Sequence, residues 1–379
     1  QATTGSGGWP MSVWLTPDLK PVVGGTYFPP ESKFGRPGFP DICKQIGDAW
    51  KNDRQRLIDS GNDVVKKLRE VFASKPSSGQ KLDHSVLEKA YARIASQYDE
   101  ENKGFGAAPK FPRPVTFNFL LRHMYRKGKT SPEGAEALSM TLETLDVMAK
   151  GGIRDHLGGG FHRYAVDQHW HVPHFEKMLY DQAQLAISYL EAFQITRKER
   201  YADVASDILD YVLSDMTSPE GGFYSAEDAD SVIEEGKPDH AEGAFYVWEY
   251  DEVNSLLGEE KAAWFNAMYG VVKGGNAPVG SDPHEEFKNK NILIQRMDAA
   301  GVADKFKVSK QAVDKAMSDA RQRLKTARDK RPRPHLDDKI ITAWNGLMIS
   351  AFAKAGQILP DGDKYRQAAM KATSFIRDH

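Results

Sequence analysis

The chain has little cysteine, no long apolar run and no excess of charge of one sign. Its 379 residues include one cysteine, Cys43, which excludes an intrachain disulfide and a CxxC couple within this sequence. A run of about 18 apolar residues, which would predict a membrane-spanning helix, is missing. The 51 Lys and Arg balance 53 Asp and Glu, so no basic tract predicts nucleic-acid binding. We therefore expect a soluble, intracellular protein that binds neither nucleic acid nor membrane.

What is present favours a globular fold with a large core. Hydrophobic residues make up 40% of the chain and aromatic residues 10%, and 379 residues suffice for two or three average domains. Cys43 falls on an amphipathic helical pattern, so we expect a small core residue rather than a reactive thiol. The chain begins at Gln1 and ends at His379 within a helical pattern, and we expect both termini to be cuts in a longer protein.

The first 73 residues differ in pattern from the rest. Short apolar runs at 11–15 and 21–23 flank a turn that contains Pro and Asp, which predicts a β-hairpin. Residues 40–72 have helical spacing, and the Ser-, Pro- and Gly-containing segment 74–81 predicts a linker. We therefore expect one domain over residues 1–73 and another over 82–379.

The second part is almost wholly helical by pattern. Residues 242–248 and 291–294 interrupt it with β-branched and aromatic residues, and a long loop lies between them at 273–290. We interpret 242–330 as an insertion whose loop covers a cavity mouth. The helices that we predict lie near 84–98, 114–127, 133–150, 173–195, 198–215, 250–269, 308–328, 338–356 and 363–378.

A weak internal repeat runs through this helical part. Glycine-aromatic punctuation recurs as KGFG at 103–106, GGGF at 158–161 and GGFY at 221–224, and each copy precedes a polar loop. The spacing fits one helical hairpin per repeat. Such a hairpin buries its apolar face only against its neighbours, so the repeats predict a toroid or solenoid with the polar loops gathered at one mouth.

Histidines concentrate in the second repeat. Five of the eleven histidines lie between His156 and His174, in a glycine-rich loop that leads into a helical pattern. Pro173 suits the first turn of a helix, so we expect the helix to begin there. On that helix His174, Lys177 and Asp181 would share one face. A helix that carries imidazole, ammonium and carboxylate groups beside a loop predicts one wall of a polar cavity.

Three clusters of titratable residues could carry acid/base chemistry, which needs paired groups of different protonation. They lie in the histidine-rich stretch, after the GGFY punctuation, and before the helix near 338. The catalytic candidates are His162, His171, His174, Asp181, Asp228, Asp230 and Asp338. The substrate-binding candidates, including aromatic rings that could stack on a sugar, are Phe161, Tyr164, Trp170, Glu176, Lys177, Tyr224, Glu227, Trp344 and Asn345.

Each cluster also has a purely structural interpretation. Asp337 or Asp338 could cap a helix, and the acidic residues at 227–230 could form a solvated turn. Lys177 and Asp181, spaced i, i+4, could form only a surface pair. The spacing of the histidines at 169–174 matches no common zinc motif, so we expect no metal there and no other cofactor.

Six segments carry a resemblance to a known family. In chain order they are GGWPMSVWLTPDLKPVVGGTYFPPE, GFGAAPKFPRP, GGGFHRYAVDQHWHVPHFEKMLYDQAQ, GGFYSAEDAD, KNKNIL and LDDKIITAWNGLMISAFA. With them the chain strongly resembles the spermatogenesis-associated protein 20 family over essentially its whole length. The resemblance implies a thioredoxin-like α/β domain followed by an (α/α)6 toroid, similar to those of N-acylglucosamine 2-epimerases and six-hairpin glycosidases.

The resemblance also refines the expected architecture. It places Pro10 at the cis-proline of the thioredoxin-like fold and residues 11–23 at its closing hairpin. The paired cysteines of the family would lie upstream of Gln1, so dithiol chemistry is not carried over to this chain. The predicted helices number fewer than twelve. We therefore expect a mainly α protein in which the C-terminal part of a thioredoxin-like domain precedes an incomplete toroid.

Two functional hypotheses follow, from different classes. The first is a carbohydrate-active protein, an epimerase, isomerase or hydrolase that performs acid/base chemistry on a small molecule at the toroid mouth. The alternative is a thioredoxin-like redox or partner-binding protein whose toroid is not catalytic. A toroid that binds a sugar or peptide without turnover lies between them. Fold-level analogy alone does not establish any of these activities.

Overall fold

A computed structural model describes residues 8, 11–33, 35–73, 83–282 and 286–379. The chain divides into two compact units, Gln1–Asp83 and His84–His379. Pro10 and the linker predicted at 74–81 lie outside the described residues, so the cis-proline and the linker stay predictions.

The first unit contains the predicted hairpin. Strands β1 (Ser12–Leu15) and β2 (Pro21–Gly25) pair antiparallel, with Ser12 opposite Gly25. The turn between them closes through hydrogen bonds between Thr16 and Lys20, where the Thr16 N–H donates to the Lys20 carbonyl at 2.9 Å. The two short apolar runs on either side of the turn therefore predicted this hairpin correctly.

The helical pattern at 40–72 forms two helices rather than one. Helix α1 (Phe39–Asn52) and helix α2 (Arg54–Phe72) are separated by Asp53, whose φ of −148° and ψ of 54° are not helical. The prediction that Cys43 is a core residue is wrong, because this thiol is exposed and α1 has no fully buried residue in the described part of the chain.

The second unit is mainly helical, with short strands between the helices. Its helices are α3 (Ser85–Ala95), α4 (Pro114–Lys127), α5 (Pro132–Lys150), α6 (Leu179–Thr196), α7 (Glu199–Asp215), α8 (Tyr250–Leu257), α9 (Glu259–Tyr269), α10 (Ala299–Phe306), α11 (Lys310–Arg328), α12 (Thr342–Ile358) and α13 (Gly362–Asp378). Its strands are β3 (Tyr164–Ala165), β4 (Pro173–His174), β5 (Lys177–Met178), β6 (Ala226–Glu227), β7 (Asp230–Val232), β8 (His240–Glu242), β9 (Trp248–Glu249), β10 (Lys290–Asn291) and β11 (Leu336–Asp337).

The long helices form an arc of two layers. Helix α6 packs between α4 and α12 in the inner layer, while α5, α7 and α13 pack against α4, α6 and α12 in turn. One continuous apolar core joins the layers, with residues such as Phe117, Leu185, Tyr189 and Phe352 completely buried. This arrangement is an incomplete (α/α)6 toroid, as the sequence predicted.

The glycine-aromatic repeat has a common structural role. In each copy the aromatic ring is buried, and its backbone forms an antiparallel bridge with a residue that follows the preceding helix. The bridges are Tyr98–Phe105, Arg154–Phe161 and Thr217–Phe223. Each ring then contacts an inner-helix ring: Phe105 contacts Phe117 (6.4 Å between centroids), Phe161 contacts Tyr189 (5.7 Å) and Phe223 contacts Phe352 (5.2 Å).

Two inner helices also hold the repeat through a buried side-chain amide. Gln182 of α6 accepts a hydrogen bond from the Phe161 N–H at 2.8 Å and donates one to the Phe161 carbonyl at 2.7 Å. Asn345 of α12 does the same at Phe223, at 2.8 and 2.9 Å. Both side chains are fully buried. The amide of Asn345, a substrate-binding candidate, is therefore engaged by the backbone.

Helix α6 begins six residues later than the pattern predicted. Residues 173–178 form β4 and β5, and the first helical residue is Leu179. His174 and Lys177 therefore do not share a helical face with Asp181. The prediction failed because pairing with distant loops determines the backbone at 173–178, whereas periodicity reports only local preference.

Helix α12 also begins late, at Thr342, because Leu336 and Asp337 pair with strand β6. The residue that caps α12 is Ile341, and its side chain makes no capping hydrogen bond. The interpretation of Asp337 or Asp338 as a helix cap is therefore wrong. The helix buries one side rather than its whole circumference, since Leu347 is exposed.

The predicted insertion forms a small helical cluster with its own core, which includes Trp248, Phe265 and Leu324. The helix predicted over 250–269 is divided between α8 and α9 at Gly258, whose φ of +78° ends a helix. Helix α10 was not predicted. Strands β9 and β10 pair antiparallel and join the C-terminal end of the 273–290 loop to the segment that precedes α8. Over the described residues, none of the helices combines the length and the apolar character that crossing a bilayer requires.

Candidate functional site

The polar loops before the inner helices are tied together at one end of the arc. A three-stranded antiparallel sheet in the order β11-β6-β5 joins the segments that precede α12 and α6. The loop before α4 joins them through a bridge between Lys110 and Ala165, and β3 pairs with β4. These short pairings bring residues from four parts of the chain to one place, which we call the mouth.

The mouth contains an imidazole-carboxylate pair. Nδ1 of His174, in β4, lies 2.7 Å from Oε1 of Glu242, in β8, and the Phe175 N–H donates to the same oxygen at 3.2 Å. The ring of Tyr164 stacks on His174 at 4.9 Å between centroids. About a quarter of each partner's side chain is exposed, 27% for His174 and 28% for Glu242. The pair is therefore fixed in position and accessible to a small molecule.

Neighbouring carboxylates favour the charged form of His174. Burial disfavours the imidazolium, but the hydrogen bond and charge of Glu242, with the charge of Glu176, raise the pKa of His174 above its ordinary value. The Nε2 atom lies 3.8 Å from Glu176. His174 is therefore suited to hold a proton near neutral pH and to deliver it from the ring nitrogen that faces away from Glu242.

A second titratable group at the mouth is Asp181, in the first turn of α6. Its residue is 8% exposed, and Oδ2 has no hydrogen-bond partner among the described residues. Burial raises the pKa of this carboxyl to about 7. The charge of Arg163 opposes this rise, and the charge of Glu176 adds to it. Asp181 therefore exists in both protonation states near neutral pH, as a general acid or base requires.

An ion pair lies between these two groups. Arg163 donates to Oε2 of Glu176 at 2.8 Å, and both side chains influence the pKa of His174 and of Asp181. Tyr180 lies beside them, and its ring meets that of Trp344 edge to face at 4.8 Å. The mouth thus combines two proton-transferring groups, a cation, a carboxylate and aromatic rings.

The acidic candidates after the GGFY punctuation and before α12 lie at the rim. Asp228, Asp230 and Asp338 are exposed. Asp230 lies opposite Glu242 in the β7–β8 pair. Partial burial and the charges of Asp228 and Glu242 raise the pKa of Asp230. Asp230 therefore lies close to the His174–Glu242 pair.

Lys177 lies beneath the mouth in a buried charge network. Its ammonium donates to Oδ2 of Asp155 and to the Gly159 carbonyl, both at 2.9 Å, and Arg328 donates to Oδ1 of Asp155 at 2.7 Å. The side chains of Lys177, Asp155 and Arg328 are 1%, 3% and 4% exposed, respectively. Burial disfavours the carboxylate, but the two cations hold the pKa of Asp155 well below its usual range.

Glu227 is buried in a similar way. It accepts a hydrogen bond from the Tyr211 hydroxyl at 2.5 Å and one from Arg333 at 3.0 Å. Arg333 also binds Asp215 at 2.6 Å. Glu227 and Lys177 face each other across the β5–β6 pair. Both substrate-binding candidates therefore have their charges matched within the protein.

His162 and His171 are buried and held neutral. Burial, with the charge of Lys177, lowers the pKa of His162 to about 3, and its Nδ1–H donates to the Phe175 carbonyl at 2.8 Å. Burial lowers the pKa of His171 to about 4. Of the three histidines predicted as catalytic, only His174 lies at the mouth.

The remaining aromatic candidates divide between core and mouth. Phe161 and Trp170 are buried, and the Trp170 indole N–H donates to the Asn102 carbonyl at 3.1 Å. Tyr164 and Trp344 are half-buried beside His174 and Tyr180 respectively, and Tyr224 is also half-buried.

Sequence reasoning missed Glu242 and Arg163. Glu242 is 68 positions from His174, and no spacing rule connects the two. Arg163 had a usable signal, because in an extended segment it points to the opposite side from its neighbour His162. A strand interpretation of residues 161–165 would have directed Arg163 to the mouth once His162 was assigned to the core.

The helical arc and its mouth define the second unit as an incomplete α/α toroid. Residues 1–69 match the family model Thioredox_DsbH, described as "Protein of unknown function, DUF255". Spermatogenesis-associated protein 20 of Homo sapiens is 42% identical over 392 residues, covering 100% of this chain and 49% of that protein. An uncharacterized protein of Caenorhabditis elegans is 40% identical over 383 residues, covering 99% and 52%.

The resemblance to the spermatogenesis-associated protein 20 family is therefore confirmed. The chain spans about half the length of these relatives, and their names state no activity. Among solved structures, a sugar epimerase from a ruminal bacterium aligns at a TM-score of 0.32 and 13% identity, covering 78% of this chain and 86% of that one. A GH76 alpha-mannanase of Bacteroides thetaiotaomicron aligns at 0.32 and 14%, covering 77% and 70%.

Proposed function

We propose that the mouth binds a carbohydrate and performs acid/base chemistry on it, with His174 and Asp181 as the proton-transferring residues. The observation that carries this proposal is the buried carboxyl of Asp181, whose Oδ2 has no hydrogen-bond partner among the described residues, beside the accessible His174–Glu242 pair. A buried polar atom without a partner costs stability. A ligand hydroxyl would supply the missing hydrogen bond.

The two groups differ in the way that such chemistry needs. Glu242 favours the protonated imidazolium of His174, whereas Asp181 changes charge near pH 7. Removal of a proton from a sugar carbon and its return to the other face require one base and one acid, and hydrolysis of a glycosidic bond requires protonation of the leaving oxygen. Arg163 would bind a sugar oxygen that becomes negative, and the rings of Tyr164 and Trp344 would contact the apolar face of a pyranose.

The test is a ligand-dependent thermal shift of the chain against monosaccharides, disaccharides, sugar phosphates and N-acetyl sugars. A ligand at 100 times its dissociation constant stabilises a protein by about 2.7 kcal/mol, which shifts the melting temperature by several degrees. We expect Asp181→Asn and His174→Gln to abolish the shift. Asp251→Asn is the matched control, since Asp251 is an exposed aspartate in the first turn of α8.

Two product assays separate the reaction types. Deuterium incorporated into recovered sugar from D2O would identify an epimerase or isomerase, because a carbon-bound proton exchanges during catalysis. New reducing ends without exchange would identify a hydrolase. A sugar that binds equally well to wild type, Asp181→Asn and His174→Gln would refute the assignment of these residues.

The alternative function is that of a thioredoxin-like partner-binding protein, and the match of residues 1–69 to a thioredoxin-like family model favours it. The single thiol, Cys43, is exposed on α1 but has no second cysteine within this chain for a dithiol cycle. A well-folded chain that gives no shift with any sugar, while binding a protein partner through residues 1–73, would favour this alternative.

A further inference from the structure

A second cluster of ligand-type side chains lies at the C-terminal end of α4, outside the mouth. Glu88 of α3, His123 of α4 and Glu133 of α5 each offer one ligand atom, and these atoms all lie within 4.8 Å of one another. Nε2 of His123 is 3.8 Å from Oε2 of Glu133. Three helices therefore contribute one potential ligand each to a single point.

The imidazole of His123 is held in place without any hydrogen bond. The residue is 2% exposed, and neither ring nitrogen has a hydrogen-bond partner among the described residues. The ring stacks on Tyr91 at 4.2 Å and 6° and on Phe119 at 6.0 Å. The hydroxyl of Tyr91 is fixed in turn by Glu136 at 2.5 Å. The His123 imidazole is therefore buried, oriented by packing and available to bind a ligand.

We propose that Glu88, His123 and Glu133 form a binding site for a divalent transition metal ion such as Zn2+. One imidazole nitrogen and two carboxylate oxygens are ligands that zinc accepts, with water completing the coordination. Bonds of about 2.0–2.2 Å in a tetrahedral site place ligand atoms roughly 3.4 Å apart, so the cluster must contract. The glutamates can supply this movement, because their side chains are 39% and 51% exposed for Glu88 and Glu133.

Lys127 is the competing cation. Its ammonium lies 2.8 Å from both Glu88 and Glu133 and offsets part of their negative charge in the absence of a metal. The side chain is 30% exposed, so it can turn outward when an ion binds. The site lies in the helical arc but shares no residue with the mouth, and the proposal is independent of the proposed function. It also departs from the expectation of no metal, which rested only on the histidines at 169–174.

The bound ion would join α3, α4 and α5. Each ligand comes from a different helix, so the ion would resist separation of α3 from the two helices that follow it. A metal that binds the folded chain more tightly than the unfolded chain raises the melting temperature. The expected role is therefore structural.

The test uses the chain after treatment with EDTA and dialysis, titrated with Zn2+ by calorimetry and with Co2+ by visible absorption. We expect one ion to bind per chain. His123→Gln, which removes the imidazole, and Glu133→Gln, which removes a carboxylate, should each weaken binding about tenfold or more. Lys127→Met should bind severalfold more tightly, since it removes the competing charge. Glu199→Gln is the matched control, because Glu199 is an exposed glutamate in the first turn of α7.

Glu133→Gln and Lys127→Met keep the test valid if the buried substitution His123→Gln disturbs folding. Glu133 is half-exposed, so Glu133→Gln should fold even where His123→Gln does not. Saturable binding that both Glu133→Gln and Lys127→Met change in the expected directions supports the site. Lack of binding by wild type and Lys127→Met, or equal binding by Glu133→Gln and Glu199→Gln, overturns it.

Discussion

Replacement of Lys177 by methionine distinguishes a structural ammonium from a substrate-binding one. Lys177 is 1% exposed and shares Asp155 with Arg328. Removing one member of a buried charge network costs about 3–5 kcal/mol. Asp155 keeps Arg328 in Lys177→Met, so we expect a loss near the lower end, about 3 kcal/mol. Asp155→Asn leaves two buried cations without their carboxylate, and should destabilise the protein more.

Urea unfolding followed by tryptophan fluorescence measures these losses. The matched control is Lys325→Met, since Lys325 forms an exposed i, i+4 pair with Asp329 and should contribute no more than about 0.5 kcal/mol. The expected order of destabilisation is Asp155→Asn, Lys177→Met, Lys325→Met. A Lys177→Met protein within about 1 kcal/mol of wild type, or one that loses only ligand binding, would refute the structural assignment.

Two further predictions concern the inner helices. Burial raises the pKa of Asp181 from 3.8 to about 7, so the folded protein keeps a proton that the unfolded chain releases, and wild type should lose stability relative to Asp181→Asn as pH rises from about 4 to about 7. Urea unfolding across that range gives the difference, and a constant difference contradicts the prediction. Asn345→Leu leaves the Phe223 N–H and carbonyl unpaired and should cost about 2–5 kcal/mol, whereas Gln357→Leu, on the exposed side of α12, should change stability by less than about 0.5 kcal/mol. Equal unfolding midpoints for these two variants would contradict the role of the amide.

The sequence predicted well those features that short segments determine. Helix α4 has the predicted bounds, 114–127, because Pro114 suits the first turn and Gly128, at a φ of +90°, ends the helix. The three glycine-aromatic segments predicted the repeat, because each buried ring packs on an inner helix. Features that depend on a few neighbouring residues can be predicted from the sequence without knowledge of the fold.

The features that were missed depend on contacts between distant parts of the chain. Strands β5 and β11 consist of two residues each and exist only through pairing with β6. Local periodicity therefore assigned residues 173–178 and 338–341 to helices. The same limit applies to charge pairing. The sequence does not show that Asp155 neutralises Lys177, nor that Asp181 is not neutralised in the same way by a cation among the described residues.

That difference separates the residues that hold the fold from those available for chemistry. Lys177, Glu227 and Asp155 are buried, and each has partners of opposite charge within hydrogen-bond distance. Asp181 is also buried, but Arg163 acts on it only at a distance, and ionising it above pH 7 costs on the order of 4 kcal/mol. A scaffold gains nothing from such a group, since asparagine would fill the same space without the charge. A residue that weakens the fold at neutral pH, beside an accessible imidazole-carboxylate pair, is therefore where we expect a ligand to be bound and a proton transferred.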